Sequence, residues 1–227
     1  MKLAMTYLEM ILSLIIISIT VSISYPHFND DRLEVAADEL IAKMKYVSYL
    51  ATLNDNFDVK DKYFRYKLWQ IKFHNQLDKE EVAAYSILKD KRKNDDNPLD
   101  LRSKNAEFLF DNFVGKKMSP YAVRYERDRK KVDKSVLLNI VYGVDGFIFP
   151  DNCNIGKSQT LMFDRYGNVY HRYNRVKYKD GFFKSSLVKP KCNTYKLILY
   201  QGEKNNPEKK VGICVETSTS YIYKCKA

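Results

Sequence analysis

In residues 5–28, MTYLEMILSLIIISITVSISYPHF, the acidic residue Glu9 precedes a long run without formal charge. As an α-helix, the uncharged stretch from Met10 to Phe28 would reach about 28 Å, close to the hydrocarbon thickness of a bilayer. An unpaired carboxylate costs roughly 2.5–3.5 kcal/mol at the centre of a membrane, so Glu9 needs a partner. The stretch therefore predicts a membrane-length helix with one functional acidic residue.

Three kinds of N-terminal segment compete to explain this start. A secretory signal peptide keeps a basic residue such as Lys2 beside a shorter apolar core and ends in a small-x-small site, and Glu9 argues against it. A plain signal anchor tolerates the length but has no use for the glutamate. In the third, a short leader is cut off after Ala4, before the apolar run, and the helix is kept.

Residues 4–9 (AMTYLE) resemble the prepilin cleavage and methylation motif of type IV pilins and pseudopilins. The motif consists of a small residue, the cut, a hydrophobic residue (here Met5), and a glutamate four residues further on (here Glu9). Pro26 falls where that family usually has its helix-kinking proline, whereas Ala4 stands where glycine is usual. Beyond the first tenth of the chain, the resemblance is vaguer, to H-type minor pseudopilins of type II secretion and to pilins of DNA-uptake machines.

The resemblance implies specific roles for these residues. A prepilin peptidase would cut between Ala4 and Met5, the new amine of Met5 would be methylated, and Glu9 would pair with the N-terminal amine of a neighbouring subunit. A desolvated ion pair of this kind supplies register even when it adds little stability. The implied partners are other pilins or pseudopilins, the peptidase and the inner membrane. The globular domain is then expected in the periplasm or in an extracellular or periplasmic filament of a single-pass protein.

The pattern divides the chain into a leader (1–4), a transmembrane and assembly half of the N-terminal helix (5–28), an amphipathic half (29–53) and a globular β-rich domain (54–227). In the amphipathic half, apolar residues recur at spacings of three and four. They are Leu33, Ala36, Leu40, Met44, Val47 and Ala51. We expect this face to pack on the globular domain.

Short β-branched and aromatic runs follow, separated by turn residues, without a parallel βαβ rhythm. They lie at residues 68–73, 85–88, 136–142, 147–149, 160–163, 195–200, 211–215 and 221–224. Residues 163–169 predict a hairpin loop with Gly167 at positive φ, and residues 217–219 predict the turn of the last hairpin. The predicted fold is α+β and pilin-like, with one long, partly transmembrane N-terminal helix packed on antiparallel β-sheets.

The four cysteines lie in the last third of the chain. An even count outside the cytoplasm predicts disulfides, and of three pairings we favour Cys153 with Cys192 and Cys214 with Cys225. Counted from the predicted turn, the last two are not directly opposite. A zinc site is the alternative, but the chain has no C-x-x-C pair and His171 is the only nearby histidine, so we expect no metal.

Basic residues are concentrated in residues 172–191, within a chain whose net charge is +11. Aromatic residues alternate with them, an arrangement that suits non-specific DNA binding, since cations follow phosphates and aromatic faces stack on bases. The alternative is a solvated loop or a patch facing anionic headgroups. The candidate DNA-binding residues are Arg172, Arg175, Lys177, Tyr178, Lys179 and Lys184.

Enzymatic readings find little support. His27, His74 and His171 are isolated, and the sequence contains no HExxH, no G-x-S-x-G and no phosphate-binding glycine loop. We therefore expect no enzyme and no cofactor. The predicted function is a minor structural subunit of a pseudopilus or type IV pilus machine for DNA uptake in transformation. The alternatives are a minor pseudopilin that drives type II protein export and an anchored binding protein that does not polymerise.

The basic run predicts weak, sequence-independent DNA binding with a salt dependence set by phosphate contacts. If four or five phosphates are contacted, the slope of log K against log salt is about −4 on duplex DNA. Charge reversal at Arg175, Lys177 and Lys179 should flatten that slope, and Tyr178→Ala should weaken only single-strand binding. A salt titration by fluorescence anisotropy measures both, and binding that survives the triple reversal unchanged would contradict the assignment.

Overall fold

The computed structural model describes residues 7–30, 32–53, 68–77, 80–90, 106–111, 115–121, 132–150, 159–170, 172–174, 186–188 and 192–227. The helices are α1 (Tyr7–Asp30), α2 (Arg32–Thr52), a 3₁₀ turn (Lys134–Val136) and α3 (Leu138–Tyr142). The first strands are β1 (Trp69–Leu77), β2 (Glu80–Asp90), β3 (Ala106–Phe108), β4 (Phe110–Asp111), β5 (Lys116–Lys117), β6 (Gly146–Ile148) and β7 (Thr160–Phe163). The remaining strands are β8 (Val169–Tyr170), β9 (Arg172–Asn174), β10 (Ser186–Val188), β11 (Thr194–Glu203), β12 (Asn206–Glu216) and β13 (Ile222–Cys225).

The N-terminal region corrects the predicted fold, because it forms two helices and not one long helix over residues 5–53. α1 ends at Asp30 and α2 begins at Arg32. The sequence at this point is Asn29-Asp30-Asp31, residue types that are unfavourable inside a helix and favour helix ends. The rest of the described chain is mainly antiparallel sheet.

The predicted membrane crossing is also corrected. A crossing takes about 20 consecutive apolar residues in one helix. Within the described residues, no helix is both long and apolar enough to span a membrane. The expectations of a partly transmembrane helix and of a single-pass inner-membrane protein are therefore wrong for this structure.

α2 packs through the face that the sequence predicted. All six predicted positions, Leu33, Ala36, Leu40, Met44, Val47 and Ala51, are buried. They join one core cluster with side chains of both larger sheets, including Phe73 and Ile213. The spacing of three and four thus identified this face correctly.

Two antiparallel sheets make up most of the domain. One has the strand order β3-β2-β1-β7-β8 and the other the order β13-β12-β11-β6. Smaller two-stranded ribbons pair β9 with β10 and β4 with β5. The predicted hairpins at 163–169 and 217–219 are confirmed as the connections β7–β8 and β12–β13, with Gly167 at φ 77°.

The two larger sheets are joined where β1 bulges. The pairing of β1 with β2 shifts register between His74 and Gln76, which leaves Asn75 without a cross-strand partner. Its side-chain amide instead donates to the Phe147 carbonyl oxygen at 2.8 Å and accepts from the Phe147 amide at 2.7 Å. Asn75 thereby continues the backbone pairing from β1 to β6, a common use of a bulge.

The strand predicted at residues 136–142 is wrong, because this segment forms the end of the 3₁₀ turn and α3. An apolar run of this length does not distinguish a strand from a buried helix. The flanking residues decide: Asp133 Oδ1 accepts from the Ser135 amide at 2.9 Å, and Gly143 adopts φ 69° at the helix end. Both are helix-end signals.

A buried polar chain crosses the first sheet at its centre. His74 Nε2 lies 2.9 Å from Ser86 Oγ, which lies 2.9 Å from Ser119 Oγ. The Tyr121 ring meets the imidazole edge-on at 5.0 Å. Burial, helped by nearby Lys72, lowers the pKa of His74 to about 3. The imidazole is therefore neutral in the folded protein at every pH above that value.

His74 should make the domain sensitive to mild acid. The unfolded chain binds a proton at His74 below about pH 6.5 and the folded chain does not, so stability falls as the pH drops from 6.5 towards 3. Between pH 7 and pH 5, the loss attributable to His74 should be about 2 kcal/mol, and His74→Gln should remove it. Urea titrations followed through the single tryptophan, Trp69, measure the difference. Equal losses in both proteins would contradict the assignment.

Candidate assembly surface

The described side chains of α1 lie almost entirely in solvent. From Tyr7 to Thr20 all are exposed except the partly exposed Ser13. Ten large apolar side chains are at least 42% exposed: Tyr7, Leu8, Met10, Ile11, Leu12, Leu14, Ile15, Ile16, Ile17 and Ile19. They surround the helix on every side. A helix that is apolar all round is normally buried, and the described part of the chain leaves this one uncovered.

Three of the hydroxyl groups of this segment bond to its own backbone. Ser13 Oγ donates to the Glu9 carbonyl oxygen at 2.8 Å, and Ser18 Oγ donates to the Leu14 carbonyl oxygen at 2.7 Å. Thr20 Oγ1 bonds in the same way to the Ile16 and Ile17 carbonyl oxygens. Because these three groups have partners within the helix, burying them against another apolar surface leaves none of their hydroxyl protons unsatisfied.

Glu9 is the single carboxylate among the described side chains of α1, and it lies in the first helical turn. Negative charge is favoured there by the helix dipole. The residues expected to act with it, Ala4 and Met5, lie outside the described residues. Pro26 lies within α1, which continues to Asp30, so proline does not end this helix.

The structure brings together little of the predicted DNA-binding run. Arg172 belongs to β9, which pairs antiparallel with β10. The remaining candidates, Arg175, Lys177, Tyr178, Lys179 and Lys184, lie outside the described residues.

The predicted bridge between Cys214 and Cys225 is confirmed, with 5.8 Å between the two Cα atoms. In the ladder, Cys214 faces Tyr223 and Cys225 faces Gly212, so the bridge is diagonal, as the sequence indicated. Cys192 is also disulfide-bonded. Cys153, and with it the predicted pairing to Cys192, lies outside the described residues. Among the cysteines that the structure does describe, none is free.

Sequence reasoning missed the contact that holds the last strand to α2. Lys224 Nζ lies 3.0 Å from Asp38 Oδ2 and 3.0 Å from Glu34 Oε2. Hydrogen bonds to Asp38 and then Glu34 raise the pKa of Lys224. The spacing of the two acids by four residues on one helix face was the available signal, but nothing pointed to a lysine 186 residues away.

A buried aspartate, also missed, organises the β7–β8 turn. Asp164 Oδ1 accepts from the backbone amides of Tyr166 and Asn168, and its Oδ2 accepts from the Asn168 amide group and the Tyr170 hydroxyl. Ser220 Oγ donates to the Gly167 carbonyl oxygen at 2.8 Å, which ties this turn to the β12–β13 turn. Both contacts are structural.

The described residues offer no obvious enzyme site. The His74, Ser86 and Ser119 side chains form a chain that resembles a nucleophile and base, but all three are buried at 4% exposure or less, out of reach of a substrate. No group of three potential metal ligands occurs in the described part of the chain. The apolar surface of α1 is therefore the feature that most requires a functional explanation.

Comparisons with protein-family models, with curated proteins and with solved structures give no match to this chain.

Glu9 should be needed for assembly and not for folding. Glu9→Gln removes the charge that would pair with the amine of a neighbouring copy and keeps the size of the side chain. We expect unchanged unfolding of the domain but at least a tenfold lower incorporation when the tagged variant is mixed with wild-type chain and assemblies are sedimented. Glu203→Gln, an exposed glutamate on the β11–β12 hairpin, is the control. Equal incorporation of the two variants would exclude the ion-pair role.

Proposed function

We propose that the chain is a pilin-like structural subunit of a pseudopilus or type IV pilus machine, in which α1 packs against α1 of other copies. The observation that supports this is the apolar surface of residues 7–20, exposed on every side in the single chain. A single partner helix covers one side only. A surface that is apolar all round is best covered by several neighbours, which a filament core provides.

The energetics favour such an assembly. Full burial of one large aliphatic side chain contributes about 1.5–3 kcal/mol. The ten apolar side chains on α1 are 42–82% exposed, so covering them contributes on the order of 10 kcal/mol, which offsets much or all of the roughly 4–15 kcal/mol cost of associating two molecules. Apolar packing alone specifies register poorly, because neighbouring isoleucines are nearly equivalent along this helix. The proposed pairing of Glu9 with the amine of Met5 in the next copy supplies the missing register.

Within this class, we propose DNA uptake as the task of the filament. The support comes from the basic and aromatic run at residues 172–191 and from the net charge of +11. Such a run suits contact with a phosphate backbone and does not suit a specific protein cargo in the same direct way.

Assembly should depend on the apolar character of α1. Ile15→Lys places a charge in the middle of the surface, and a buried unpaired ammonium group costs several kcal/mol. We expect full-length wild-type chain to form elongated, sedimentable particles when detergent is removed, and Ile15→Lys to reduce the sedimented fraction at least tenfold. Electron microscopy of the pellet checks the shape of the particles.

Tyr166→Lys is the matched control, because Tyr166 is 67% exposed on the distant β7–β8 turn and Ile15 is 51% exposed. It should assemble like wild type. Assembly of Ile15→Lys at the wild-type level would contradict the proposed function, as would loss of assembly in the Tyr166→Lys control to the same degree.

A further inference from the structure

α2 carries a second row of residues on the side that faces away from the sheets. The row consists of Val35, Glu39, Ala42, Tyr46, Tyr49 and Leu53, and we call it the outer row. Its spacing alternates strictly between four and three residues. Residues at this alternating spacing form the contact line when one helix packs along another. At about 100° per residue, the outer row lies nearly opposite the core-facing row that contains Leu40 and Met44.

The large members of the outer row are accessible. Val35 is 50% exposed, Tyr46 43%, Tyr49 57% and Leu53 58%. Such residues are not needed for the fold, since the opposite face of α2 already meets both sheets. An apolar seam on an otherwise charged helix face therefore points to another helix as the missing cover.

We infer that the outer row pairs with the same row of a second copy of this chain, in an antiparallel, two-fold contact. A two-fold axis beside residue 44 makes the row self-complementary. It brings Tyr46 opposite Ala42, a large side chain against a small one, and Leu53 opposite Val35. It also brings the Tyr49 hydroxyl opposite the carboxylate of Glu39, as donor to acceptor. Each contact occurs twice.

The parallel arrangement is less favourable on the same residues. In register, it would place Glu39 against Glu39, Ala42 against Ala42 and Tyr46 against Tyr46, so that like charges meet and large side chains oppose large ones. The Glu39 carboxylate, which lies 3.5 Å from Lys43 Nζ in its own helix, would gain no donor.

α1 of a second copy is also a poorer cover. Ser13, Ser18 and Thr20 already donate to their own backbone, so among residues 7–20 only the hydroxyl of Tyr7, at the helix start, could donate to Glu39. α1 of the same chain does not cover the row either, as the exposed fractions show.

This pair does not rest on the proposed function. An isologous contact closes on itself and gives a dimer, whereas a filament needs contacts that repeat in one direction. The antiparallel pair uses the outer row of α2 alone and leaves α1 uncovered.

The direction of the pairing is tested by photo-cross-linking. Full-length chain with a benzophenone side chain at position 49 is irradiated in a nonionic detergent that covers α1, and the cross-linked peptides are identified by mass spectrometry. We expect a covalent dimer that joins position 49 to residues 35–42 of the second copy. The same probe at the exposed position 166 should give no dimer. Capture at residues 46–53, capture of α1, or absence of a dimer would overturn the inference.

A second measurement separates this contact from assembly through α1. Ala42→Tyr replaces the small residue that faces Tyr46, at an exposed helix position that should not disturb the fold. Sedimentation equilibrium in detergent should show a dissociation constant of the dimer that is at least tenfold higher for Ala42→Tyr and unchanged for Ile15→Lys. An unaltered dimer in Ala42→Tyr would refute the pairing, and so would a dimer lost in Ile15→Lys.

Discussion

The dominant physical feature of this protein is the apolar surface of α1, which the described part of the chain leaves in contact with water. Ten large apolar side chains in contact with water are too costly to be incidental in a domain whose net stability is expected to be about 5–15 kcal/mol. The β-rich part of the chain does not relieve this cost, because its core is closed by α2. The exposure of α1 is the physical basis for proposing a subunit of a filament, in which neighbouring copies would cover this helix.

α2 connects the two parts through separate faces. One face is buried on the sheets, and the Lys224 contact to Glu34 and Asp38 fixes the last strand to its first turns. The bridge between Cys214 and Cys225 holds that strand to β12. The opposite face carries the outer row. Charged side chains along the helix separate these two surfaces, so that each can be occupied without the other.

The sequence predicted those elements whose pattern has one physical explanation. The core face of α2 and the β7–β8 and β12–β13 turns follow from spacing or turn chemistry, and all are confirmed. The bridge between Cys214 and Cys225 is confirmed too, although the offset counted from the predicted turn spoke against it. The single long helix failed because an apolar run predicts where a helix lies and not where it ends. The strand at 136–142 failed because its end signals, Asp133 and Gly143, were outweighed by β-branched residues. The contact of Lys224 with Glu34 and Asp38 could not be predicted, since residues so far apart in the sequence leave no local pattern. The spacing of the outer row is present in the sequence, but the apolar row on the opposite face of α2 gives the stronger pattern.

Helical reconstruction by electron cryomicroscopy of particles formed by the full-length chain will show whether α1 is covered by other copies. We expect the side chains of Leu12, Ile15 and Ile19 to lie in the particle interior, in contact with α1 of neighbouring copies, while the β-sheets face outward. Particles joined only through their β-rich domains, with α1 still exposed to solvent, would contradict it.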